Sequence, residues 1–97
     1  MTASQKATKD AVEQLIKHKK LQIKDLPGRG TDYKDDTIRA VLRDLEADSW
    51  VVRRTKNSQI WYIGKDLVDL MWANSQPVAI PEEALELYEN EEEGDSQ

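Results

Sequence analysis

Cysteine and phenylalanine are absent from the chain, and histidine occurs once, as His18. Without cysteine there is no disulfide framework and no thiolate metal site. A single histidine excludes His-rich metal centres and most His-based catalysis. No Ser, Cys or carboxylate lies at motif spacing from it, so His18 reads as a solvated residue near a helix end. No run approaches the roughly 20 apolar residues that a bilayer span needs. The opening MTASQKATKD has no apolar segment of the secretory kind, so the expected location is cytoplasmic, with no membrane partner. Basic residues are missing altogether after Lys65.

That last absence reorganises the charge. The net value of −5 speaks against a nucleic-acid partner if it is taken alone. All 14 Lys and Arg, however, lie between Lys6 and Lys65, where 9 acidic residues accompany them and leave a net +5. Asp66 to Gln97 carries 10 acidic residues and no basic one. A basic body with an acidic tail is the asymmetry expected of a nucleic-acid-binding domain, although a body with a merely solubilising tail has the same composition. The 97 residues suit one compact domain. A chain of this size buries only about two-thirds of its unfolded surface, so the core must be economical.

Hydrophobic spacing then sets the elements. Ala11, Val12, Leu15 and Ile16 mark one face of a first helix over about Ala3–Lys20, with Lys17, Lys19 and Lys20 at the end that favours cations. Leu21–Gln22 reads as a very short strand and Ile23–Leu26 as one helical turn, stopped by Pro27-Gly28. Ile38, Val41, Leu42 and Leu45, at i, i+3, i+4 and i+7, give a second helix over about Tyr33–Asp48, with Asp32 or Asp35 as its N-cap. Trp50–Arg54 and Ile60–Ile63 read as two strands of a hairpin. With Asn57-Ser58 at its tip, Arg54 faces Trp61 and Val52 faces Ile63, which puts Trp50, Val52, Trp61 and Ile63 on the core side. Lys65–Asn74 follows as a helix with Leu67, Leu70 and Met71 inward. Residues 76–90 form a linker and a short C-terminal helix opened by Pro81, whose apolar stripe is Ala84, Leu85, Leu87 and Tyr88. Residues 91–97 are an acidic stretch expected to be disordered.

Helix, short strand, stub helix, long helix and two-stranded hairpin is the element order of a winged helix-turn-helix domain. The residues also resemble that family. In DDTIRAVLRDLEADSWVVRR, Thr37-Ile38 stands where the recognition helix opens, Leu42 and Leu45-Glu46 where it closes, and Trp50-Val51 with Arg53-Arg54 on the following strand. Ile60-Trp61-Tyr62-Ile63 is similar to the second wing strand, and the likeness spans about Thr8 to Ala73. Two departures stand out. Ser49 takes a place where the family commonly has Gly, and Pro27-Gly28 cuts the second helix to one turn.

The resemblance implies an α+β, mostly helical winged helix-turn-helix over residues 4–75, built from a three-helix core and a two-stranded wing, with extra C-terminal helices. It implies a sequence-specific transcriptional regulator that binds double-stranded DNA, has no enzymatic activity and needs no cofactor or metal. Helix 33–48 would read the major groove and wing 51–63 would touch the backbone. Thr37, Arg39 and Arg43 are the candidate base-reading residues, beside Lys34. Arg53, Arg54 and Lys56 are the candidate backbone contacts, with Arg29 in support and Lys17, Lys19 and Lys20 as further phosphate contacts. The alternative is a winged-helix adaptor that binds another protein without DNA. A homodimer through Leu85 and Tyr88, or through the terminal helices, fits either reading.

Other signals are weaker. Gly28-Arg29-Gly30-Thr31 lacks the Lys-Ser/Thr and the buried strand of a phosphate loop. Asp32, Asp35 and Asp36 lack calcium-loop spacing and suit capping better. Trp50, Trp61 and Trp72 could stack on bases, but packing explains them better in a chain without Phe.

Overall fold

The computed structural model describes residues 1–95, with side chains through Glu89. Among the described residues, four helices and one three-stranded antiparallel sheet give an α+β architecture. In chain order the elements are α1 (Ala3–His18), β1 (Lys20–Leu21), a 3₁₀ turn (Ile23–Asp25), α2 (Asp35–Ala47), β2 (Val51–Val52), β3 (Trp61–Ile63), α3 (Lys65–Ala73) and α4 (Glu82–Asp95). Among the described residues no helix is long and apolar enough to cross a membrane.

Helix α1 starts where its sequence can satisfy the free backbone amides. The Thr2 hydroxyl accepts from Gln5 N–H at 3.1 Å, and the Gln5 side chain accepts from Thr2 N–H at 2.8 Å. It ends at Lys19, whose φ of 67° turns the chain out while its N–H still reaches the Leu15 carbonyl. Ala7, Ala11 and Leu15 are wholly buried, and the small alanines let α1 approach α2 closely. Val12 and Ile16 are only half-buried.

Helix α2 buries Ile38, Val41, Leu42 and Leu45, the stripe its spacing announces. Its start differs from expectation. Lys34 is the cap residue and makes no side-chain cap bond, so neither Asp32 nor Asp35 caps the helix. Asp35 is instead drawn to Arg29, and Tyr33 lies in the core rather than in the first turn. At the far end Ser49 adopts φ 60°, a left-handed conformation that favours Gly. Gly64 packs directly on this turn. A Cβ there would lie 2.1 Å from the Ser49 carbonyl oxygen, and the Gly64 N–H donates to the Trp50 carbonyl at 2.8 Å.

The hairpin forms one residue out of the expected register. Val51 pairs with Ile63 and Val52 with Tyr62. The turn differs too: Ser58 N–H closes onto the Thr55 carbonyl, so the tip is Lys56-Asn57 and not Asn57-Ser58. A one-residue slip exchanges the faces of a strand. Val51, Trp61 and Ile63 therefore enter the main core, while Val52 and Tyr62 face the other way. β1 adds to the free edge of β3, pairing Lys20 with Tyr62 and Leu21 with Trp61, so the sheet has three strands in the order β1-β3-β2. The expected strand Leu21–Gln22 sits one residue earlier.

Both faces of this small sheet are covered. The main core lies between one face and α1, α2 and α3, and Val78 from the 76–80 linker is inserted into it. On the other face α4 lays Ala84, Leu87 and Tyr88 over Val52 and Tyr62, and the Tyr88 hydroxyl donates to the Ile63 carbonyl. Leu85, expected on this stripe, is 46% exposed. Helix α3 turns Leu67 and Val68 inward with Met71 partly covered. Leu70 is exposed because the buried stripe runs through Val68 instead. Trp61 is a packing residue and Trp50 half-buried, but Trp72 is 58% exposed and contributes little to the core. The backbone of α4 continues to Asp95, into the stretch expected to be disordered, and residues 96–97 of that stretch lie outside the described residues.

Candidate functional site

The basic residues gather where α2 meets the β2–β3 loop. A cleft of about 350 Å³ is lined by Lys24 after β1, Arg29 from the 26–34 loop, Asp35 and Arg39 from α2, and Arg53 and Lys56 from the β2–β3 segment. It continues into a second depression of about 230 Å³ lined by Arg39, Arg43, Glu46, Arg53 and Lys56. Six cations and two carboxylates thus share one concave surface, floored by Trp61 and Ile23.

The two carboxylates are both engaged. Arg29 holds Asp35 through Nε at 2.7 Å and Nη2 at 3.1 Å, a two-point fork. The hydrogen bond from Arg29 lowers the Asp35 pKa from its ordinary value, slight burial opposes this, and the charges of Arg29 and Arg39 add to the lowering. Arg53 Nε reaches Glu46 at 3.2 Å. Lys24, Arg39, Arg43 and Lys56 form no ion pair among the described residues. Their charges face solvent across the cleft.

The loop that carries Arg29 is fixed from below by a buried carboxylate. Asp10, 2% exposed, accepts from Tyr33 Oη at 2.6 Å, from Lys6 Nζ at 2.9 Å and from Gly28 N–H at 3.1 Å. Burial works against its ionisation, but the hydrogen bonds from Tyr33 and Lys6, the Lys6 charge and the Gly28 amide outweigh it and hold its pKa below the ordinary value. Burial, with the bond to Asp10, pushes the Tyr33 phenol well above its ordinary value. Gly28 is required here, since a Cβ would lie 2.6 Å from the Tyr33 ring and 2.8 Å from the Asp10 carboxylate. The network ties α1 to the loop and to the start of α2.

No protein-family model, curated protein or solved structure matches this chain. The site therefore rests on its own geometry. Of the residues singled out in the sequence, Arg29, Arg39, Arg43, Arg53 and Lys56 line the cleft together. Lys34, Thr37 and Arg54 do not. Lys34 is exposed at the N-cap, outside the cleft lining. Thr37 is half-buried, and at about 100° per residue it sits roughly 160° around α2 from Arg39. Arg54 points to the far side of the sheet and meets Glu86 of α4 at 3.7 Å. Lys19 turns back to the carbonyls of Ile16 and Lys17 at its own helix end. Lys24, Glu46 and Asp10 are not among the site residues that the sequence suggests. Asp10 gives no such signal, since its spacing from Lys6 is that of a surface i, i+4 pair.

Proposed function

We propose that this chain is a winged helix-turn-helix protein that binds double-stranded DNA, acting as a transcriptional regulator. The observation that carries the reading is the convergence of Lys24, Arg39, Arg43 and Lys56, without ion pairs among the described residues, on a cleft between α2 and the β2–β3 loop. In this reading α2 is the recognition helix and the β2–β3 loop is the wing. Arg39 and Arg43, one turn apart, reach base edges or phosphates, and Lys56 takes the backbone. The acidic segment supports the reading by its position. It is packed as α4 against the Val52–Tyr62 face of the sheet, while the cleft opens beside Arg53 and Trp61. The carboxylates of Glu82, Glu83, Glu86 and Glu89 are therefore carried on the helix that covers the face of the sheet turned away from the main core.

Single substitutions test the site. Each phosphate contact contributes a salt slope of about −0.9, which is worth about eightfold in affinity at 0.1 M salt. Arg39→Ala and Arg43→Ala should each weaken binding to a mixed-sequence duplex by about that factor. Arg54→Ala should leave it within about twofold, since a Debye length of about 10 Å screens a charge on the far face. Equal losses from all three variants would contradict the assignment of the cleft. The adaptor reading is favoured by one observation: Leu85 and Trp72 are exposed although apolar. Absence of duplex binding at low salt would move the conclusion to that reading. Leu85 is also what remains for a homodimer contact, because Tyr88 is buried against the sheet.

A further inference from the structure

We infer that Arg53 and Glu46 form a strut that sets the width of the cleft, as positioning residues and not as contacts with nucleic acid, an inference that rests on the duplex reading above. One guanidinium joins three separate pieces of the fold. Arg53 Nε donates to Glu46 Oε2 on the last turns of α2 at 3.2 Å. Its Nη1 donates to the Lys56 carbonyl at the tip of the β2–β3 loop at 2.8 Å. Its Cζ stands 5.2 Å from the centre of the Trp61 ring at the start of β3. The side chain is only 23% exposed, so little of it is available to a ligand.

Among the described residues the loop makes no other hydrogen bond or ion pair to α2. Between β2 and β3 its hydrogen bonds are internal, joining Thr55, Asn57 and Ser58 to one another. Clasping the Lys56 carbonyl fixes the backbone of the residue whose ammonium lines the cleft. Only a planar fork over a ring makes these contacts at once, and a lysine ammonium is a point charge that reaches one acceptor. Glu46 is 38% exposed and Arg53→Lys keeps an aliphatic stem over Trp61, so these substitutions change global stability little.

The strut opposes simple electrostatics in sign. Glu46 is a negative charge in a phosphate-binding cleft, so by charge alone Glu46→Ala would tighten binding. As a strut component its loss frees the loop and removes the Lys56 contact. Glu46→Ala should therefore weaken binding to a mixed-sequence duplex of about 20 base pairs by about eightfold at 0.1 M salt, and make the salt slope shallower by about 0.9. Arg53→Lys keeps the charge and should lose as much. In a Lys56→Gln background Glu46→Ala should no longer weaken binding. In the free protein, amide order parameters over 54–59 should fall from about 0.85 toward 0.6 in both single variants.

Tighter or unchanged binding by Glu46→Ala, or full binding by Arg53→Lys, would overturn the inference. So would unchanged order over 54–59. If the wild-type chain binds no duplex at low salt, the function proposed above fails. The order parameters of the free protein then decide the strut by themselves, a loosened loop upholding it and an unchanged one refuting it.

Discussion

Removing the Asp10 carboxylate should cost a large part of the stability of this domain. Asp10→Ala leaves two buried donors without an acceptor, the Gly28 N–H and the Tyr33 hydroxyl, which now bond one carboxylate oxygen at 3.1 and 2.6 Å. Each stranded donor costs about 1–3 kcal/mol, so the sum is about 4 kcal/mol. Small domains hold only about 5–15 kcal/mol in total. Lys6 adds little to this loss, since its ammonium is partly exposed and can turn to water. Asp10→Asn is the milder change, because one amide oxygen can still serve Gly28 and Tyr33, and it should cost about 1 kcal/mol. The two variants also separate on pH. The folded-state pKa of Asp10 lies below its ordinary value, so its contribution is fully present above about pH 4 and is lost as the pH falls through the lower folded value. Asp10→Asn should therefore destabilise the protein at pH 7 and show a flatter decline below pH 4. Urea denaturation followed by tryptophan fluorescence at pH 7, 4.5 and 3 measures both effects. A loss under about 1 kcal/mol for Asp10→Ala, or parallel pH profiles for wild type and Asp10→Asn, would refute the reasoning.

Two further substitutions probe the turn behind the sheet. Gly64→Ala drives a methyl group into the Ser49 carbonyl and disrupts the hydrogen bonds of Gly64 to Trp50 and of Asp66 to Ser49. It should lower stability by about 3 kcal/mol or more, read as a fall of at least about 12 °C in the thermal midpoint. Ser49→Gly acts in the opposite direction. Relief of the left-handed residue, worth about 1–2 kcal/mol, exceeds the entropy that glycine adds to the unfolded chain, and the midpoint should rise by about 4 °C. An unchanged midpoint would mean that the turn carries no strain.

Much of the fold was legible in the sequence where one face of an element is buried and the other is wet. The stripe Ile38, Val41, Leu42 and Leu45 placed α2 on that basis. The hairpin register differs by one residue from the one its turn residues suggest, and both faces of the sheet are covered. Val51-Val52 and Trp61-Tyr62-Ile63 are apolar throughout, so no alternation pins the register, and the face that α4 covers cannot be inferred before α4 is placed. The buried face of α3 is ambiguous for a related reason. Leu67, Leu70 and Met71 fit a helical stripe as well as Leu67, Val68 and Met71 do, and only the neighbours choose between them. Among the candidate site residues, the cations on α2 and near the loop were visible as charges. Their partners were not, because Asp35 with Arg29 and Glu46 with Arg53 meet only through tertiary structure. Asp10 looks like one half of a surface i, i+4 pair with Lys6 until its burial is seen.

The measurement that bears most directly on the proposed function is the salt dependence of binding to duplex DNA. With Lys24, Arg39, Arg43 and Lys56 each neutralising one phosphate, the logarithm of affinity should fall with the logarithm of salt on a slope of about −3.6, a loss of about 150-fold between 50 and 200 mM. No binding at 50 mM, or a slope shallower than about −2, would contradict the account.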